Sequence, residues 1–115
     1  MGLFSKFKKR DYAREFLDAY ENNDADVCKS LLDEWQDSYD TTYDTNVIFA
    51  ILLVNYLVYG KDVTRRFKNN FGMTINEYYH KVLLSPKNKP KNKKLASKYE
   101  AKVGALALME QTDLL

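Results

Sequence analysis

The sequence predicts an all-α fold, a compact bundle of about five to six helices built from helical hairpins, and three observations carry that prediction. Apolar residues recur at helical spacing along most of the chain. Capping residues precede those stripes, and Gly or Pro closes them. No stretch makes a convincing strand, and the apolar run Val47–Tyr59 is too long and too evenly oily for anything but an element buried by neighbours.

In the first element, Arg10 to Asn22, Tyr12, Ala13, Phe16, Leu17 and Tyr20 form one face, and Asp11, Arg14, Glu15, Asp18 and Glu21 the other. After Asn22 and Asn23, Asp24 caps a second helix whose stripe is Val27, Cys28, Leu31, Leu32 and Trp35. The short link makes the two an antiparallel hairpin. Between Gln36 and Asn46 the Asp, Ser and Thr side chains compete with helix for backbone hydrogen bonds, which places a loop near Asp40 and a cap at Asp44 or Thr45. Val47–Tyr59 then reads as the central core helix. Its β-branched and aromatic residues also suit a buried strand, but its length, its cap and the closing Gly60 favour a helix.

Asp62 starts a fourth segment that sends Val63, Phe67 and Phe71 to the core and stops at Gly72. Thr74 and Glu77 form a capping box for a fifth helix using Ile75, Tyr78 or Tyr79, Val82 and Leu83. Residues 85–94 hold two prolines and five lysines, a solvated, mobile loop before the last helix. That helix, Lys94 to about Thr112, carries the stripe Leu95, Tyr99, Val103 and Leu106. Gly104 costs about 1 kcal/mol there relative to Ala, so another backbone is expected close by, from this chain or from a second copy in a homo-oligomer. The chain is read as one domain, 1–115, with a basic leader at 1–9.

The hairpin architecture resembles that of tetratricopeptide arrays. The resemblance is architectural: the first helix lacks the Trp and Leu-Gly of that motif, and no 34-residue self-match is present.

At 115 residues the chain can build a core without metal or disulfides. Its single Cys28 and the absence of a secretory apolar region favour a reducing, cytoplasmic setting. The thirteen residues of Val47–Tyr59 fall short of the roughly 20 a bilayer span needs. Met1-Gly2 lacks the Ser or Thr at position 6 of the myristoylation motif, since that residue is Lys6. The net charge of +2 hides a segregation: +4 over residues 1–10, −9 over 11–46 and +7 over 47–115. Such asymmetry steers charged partners.

Equipment for turnover is thin. There is one His, one Cys, no Gly-x-Ser-x-Gly and no Gly-rich phosphate loop. His80 is read as a surface histidine and Cys28 as a small core hydrophobe, with a Cys28–His80 dyad the catalytic alternative. Asp24-Ala25-Asp26 begins like a calcium loop, but Lys29 stands where its glycine belongs and Trp35 where its bidentate Glu belongs. Asp33, Glu34, Asp37, Asp40 and Asp44 are read as a solvated acidic face rather than a cation site. No catalytic residue, cofactor or metal is assigned.

The favoured reading is therefore a small non-catalytic module that docks an acidic helical face on a basic protein partner. An immunity or inhibitor protein of bacterial or phage origin is one form of it. Its contacts are Asp18, Glu21, Asp26, Asp33, Glu34, Asp37 and Asp40, with Trp35, Tyr39 and Tyr43 as aromatic anchors. The alternative is a nucleic-acid accessory protein using Arg65, Arg66, Lys68, Lys87, Lys89, Lys91, Lys93, Lys94 and Lys98 against phosphates. The leader, with Leu3, Phe4 and Phe7 among Lys6, Lys8, Lys9 and Arg10, reads as a segment tucked on the bundle rather than a membrane contact.

Overall fold

Each expected stripe folds into a helix in the computed structural model, which describes residues 10–38 and 43–115. The leader 1–9 and the expected loop at Asp40 lie outside the described residues. The helices are α1 (Tyr12–Glu21), α2 (Ala25–Ser38), α3 (Thr45–Tyr59), α4 (Val63–Phe71), α5 (Ile75–Leu84) and α6 (Lys93–Gln111), with a 3-10 turn Gly60–Asp62 joining α3 to α4. Among the described residues there is no strand.

The helix ends follow their local chemistry. The Asp11 carboxylate accepts the Arg14 N–H at 3.2 Å and starts α1, and Asp24 does the same for Val27 at 3.2 Å at the start of α2. Asn23 takes the left-handed conformation, φ 60°, that turns the chain between them. Asp44, not Thr45, caps α3. The box at α5 forms as the spacing requires: Thr74 Oγ1 accepts the Glu77 N–H at 3.1 Å, and Glu77 Oε1 accepts the Thr74 N–H at 3.2 Å. Two further free donors at that end, Ile75 N–H and Asn76 N–H, are taken at 2.9 and 3.0 Å by the Glu110 carboxylate, 35 residues away on α6. The carboxylate thus fastens the antiparallel pair α5–α6.

The core gathers where α1, α2, α3 and α6 meet. Phe16, Trp35 and Tyr99, one each from α1, α2 and α6, lie with ring centroids 6.2 to 6.5 Å apart. All three are buried, and the Tyr99 hydroxyl donates to the Ala13 carbonyl at 2.6 Å. Each aromatic removed from such a site typically costs about 3–5 kcal/mol. Because α6 returns to pack on α1 and α3, the first and last helices close the bundle. In a stacked helical array each hairpin touches only its neighbours, so this return contact sets the fold apart from one.

Four expectations need correction. The core helix is not covered all round: Val47, Phe49, Ala50, Leu52 and Leu53 are buried, but Ile51, Val58 and Tyr59 are exposed. Neighbours cover α3 unevenly: Val54, Tyr56 and Leu57 still pack partly buried against the core, Ile51 already faces out in the first half, and the chain bends away at Gly60, φ 55° and ψ −130°. Phe71 is 56% exposed rather than core-facing, and Val27 also lies outside. Finally, Gly104 meets no backbone. A Cβ built there would lie 3.2 Å from the Tyr79 hydroxyl, so the small residue seats a ring from α5 of the same chain.

Helical backbone runs on from α3 through the 3-10 turn into α4, 27 residues in all. Its most apolar 18-residue window has mean hydropathy 1.5 and is 39% buried, so by length and composition this run, unlike Val47–Tyr59 alone, could span a bilayer.

The Glu110 clasp predicts that Glu110→Ala lowers stability by about 1–2 kcal/mol, since two helix-end donors lose a charged acceptor. Glu110→Gln, which keeps one acceptor oxygen, should lose less. Urea unfolding followed by circular dichroism orders the three proteins.

Candidate functional site

The acidic residues of α2 sort by helical angle. Asp26, Asp33 and Asp37 stand at i, i+7 and i+11, within about 40° of one another at 100° per residue. The buried Cys28, Leu31, Leu32 and Trp35 occupy the opposite side. The three carboxylates therefore point directly into water, and none makes an ion pair among the described residues. Asp18 has the same relation to the buried face of α1. Glu21 and Glu34 differ: Lys102 reaches Glu21 at 3.2 Å, and Arg10 reaches Glu34 at 3.0 Å while also binding Glu15 at 2.6 Å. Those two acids are partly neutralised by the chain's own cations.

The expected aromatic anchors are mostly not free to anchor. Trp35 is 1% exposed and belongs to the core triad, because position 35 falls on the buried stripe of α2. Tyr43 is exposed but engaged by Lys87, whose ammonium donates to its hydroxyl at 3.0 Å and sits 4.5 Å from its ring centroid. Tyr39 and Asp40 lie outside the described residues.

The cations expected to contact phosphates fall into separate groups. Arg65, Arg66 and Lys68 are on α4, beyond the C-terminal end of α3. Asp62 binds Arg65 at 2.8 Å and Arg66 at 3.0 Å, and these contacts, the Arg65 hydrogen bond foremost, hold its carboxyl below the usual range. Lys87, Lys89, Lys91, Lys93 and Lys94 lie by the other end of α3, where Asn88 meets Thr45 and Asn46 Nδ2 donates to the Asn92 carbonyl at 3.0 Å. The 15 residues of α3 put about 20 Å between the groups. Lys98 lies apart from both, beside Glu21 and Lys102.

The loop 85–92 is fastened rather than a bare spacer. Its knot is Asp44, 1% exposed, which accepts the Asn46 N–H at 3.0 Å as the cap of α3 and the Lys91 N–H at 3.2 Å from the loop. Burial pushes its carboxyl up from the ordinary 3.8, against the pull of those two amides and the Lys91 charge. Asn92 continues the fastening by donating to Asp11 at 3.2 Å. Beside the knot opens a cleft of about 520 Å³, where Asp11 and Asp44 face Arg10, Lys91, Lys93 and Lys94. Sequence reasoning did not find this cleft, because its walls come from segments far apart in the chain, around residues 10–13, 35, 44 and 91–94. The one signal for it was the run of Asp, Thr and Asn at 44–46, polar residues at the start of an otherwise oily helix.

The dyad alternative is not assembled. Cys28 is buried with its Sγ 3.9 Å from the Phe16 carbonyl, and burial pushes the thiol up to about 11, so it stays protonated near neutral pH. His80 is exposed on α5, its Nδ1 3.1 Å from the Asn76 carbonyl, and α2 packs on α1 and α3 rather than on α5. Among the described residues no three His, Cys, Asp or Glu side chains gather as a metal site would need. Compared with protein-family models, curated proteins and solved structures, the chain matches none.

A buried carboxyl with a raised pKa stabilises the fold most below pH 3.8, and that contribution is lost as pH rises through the raised value. Asp44→Asn keeps a capping oxygen and removes the titration. Its stability relative to the parent should therefore increase between about pH 4 and pH 7. Asp44→Ala, lacking the cap, should lose about 0.5–2 kcal/mol, more at pH 4 than at pH 7. Denaturant midpoints at the two pH values measure this.

Proposed function

We propose that this chain is a non-catalytic protein-binding module that docks the outward stripe Asp26, Asp33 and Asp37, with Asp18 on the neighbouring helix, onto a basic surface of a partner protein. The observation that carries this reading is the stripe itself: three carboxylates in line on one rigid helix, opposite its buried side and without ion-pair partners among the described residues. Charges already in position and unpaired lose little on meeting a cationic patch, and they speed encounter. Glu21 and Glu34 are secondary contacts, since binding through them means exchanging Lys102 and Arg10 for the partner's cations. A stoichiometric inhibitor or immunity protein that covers a basic cleft is one form of this function, and the reducing cytoplasm is the setting the single thiol suits.

The stripe should tolerate charge reversal because its side chains are exposed. Asp26→Lys/Asp33→Lys/Asp37→Lys is expected to keep the helical spectrum of the parent. Its association rate with a protein captured by the parent chain should fall at least about tenfold at low salt. Added salt should narrow the difference. Equal association by parent and variant would remove the stripe from the interface.

A further inference from the structure

We propose that the elbow between α3 and α4 is a contact surface for an anionic lipid bilayer. One side of α3 leaves Ile51, Val58 and Tyr59 about two-fifths exposed, and Phe71 at the end of α4 is 56% exposed. Between the two helices Asn55, Tyr59, Val63, Phe67 and Phe71 line a groove of about 90 Å³. Cations border this apolar ground: Lys61 in the 3-10 turn and Arg65, Arg66 and Lys68 on α4, against Asp62 as the one acid of residues 60–72. The Arg66 guanidinium lies 4.2 Å over the Tyr59 ring, which keeps an aromatic body and a positive head together. Oily side chains edged by lysine and arginine match the boundary between acyl chains and anionic headgroups.

The placement of the acidic hairpin favours this occupant and fixes the orientation. Tyr20 of α1 has Tyr56 of α3 for a neighbour, and Tyr56 lies about 140° around α3 from Ile51. α1, with Asp18 on its outer side, is thus carried on the side of α3 turned away from Ile51 and Val58. A negative surface would repel that side and attract the elbow, so charge complementarity and exposed apolar area select the same face.

Co-sedimentation of the full chain with vesicles tests this. The parent should pellet with vesicles of phosphatidylserine and phosphatidylcholine and remain in solution with phosphatidylcholine alone. Val58→Asp should lower partitioning about tenfold, and Lys61→Glu/Lys68→Glu about 25-fold or more, both with the circular dichroism of the parent. Lys6→Glu/Lys8→Glu/Lys9→Glu, which alters only the leader, should retain binding. The proposal is overturned if the parent binds neither vesicle, or if the leader variant loses binding while both elbow variants keep it. It is equally overturned if a concentration-dependent dimer in size-exclusion chromatography, abolished by Val58→Asp, accompanies absence of lipid binding; that face would then belong to a second copy.

Discussion

The bundle depends on one junction, the packing of Phe16, Trp35 and Tyr99 with the Tyr99 hydroxyl on the Ala13 carbonyl. A buried phenol must place its hydroxyl on an acceptor or lose the free energy of desolvating it. Here the acceptor is a carbonyl 86 residues earlier in the chain. That pairing forces α6 back onto α1, and once α6 is there Asn92 and Glu110 fall at its two ends, within reach of Asp11 and of the first amides of α5. The outward directions of the acidic stripe and of the elbow follow from the same junction, since each is what remains of its helix after the core side is fixed.

Much of this was legible in the sequence, and the reasons are local. Asp24, the pair Thr74 and Glu77, and Gly72 act on backbone groups within a few residues, so their chemistry declares itself without the rest of the fold. The stripes of α1, α2 and α6 were readable because polar residues mark their outer sides. Where such contrast is missing, the reading failed. α3 is oily around its whole circumference, so periodicity could not say which part would lack neighbours, and only Asn55 hinted at an open side. Trp35 misled as an anchor for the opposite reason: its type suits an interface, but its position belongs to the stripe of Leu31 and Leu32.

The long-range polar contacts were the least legible. Glu110 looks like an ordinary surface residue near a helix end, and nothing local tells that it serves the start of α5. Lysines at 87–94 read as a solvated loop because lysine side chains do prefer water. The fastening is made instead by the Lys91 amide and by Asn88 and Asn92, groups whose partners lie more than forty residues away. Charge segregation survived folding in part: the α2 stripe stays in water, whereas Glu21, Glu34 and Asp62 meet cations of this chain.

The closure of the first helix by the last has a consequence for biosynthesis. The α1–α2 hairpin can form early, but the ring from α6 that completes its core arrives only when residue 99 has been made. At about 5–20 residues per second, the interval from the end of α2 to that point is several seconds. Throughout it, Phe16 and Trp35 lack their last covering neighbour, and the nascent hairpin presents a greasy seam to whatever holds emerging chains. Slow codons between α2 and α6 would lengthen that exposure, while fast ones would shorten it.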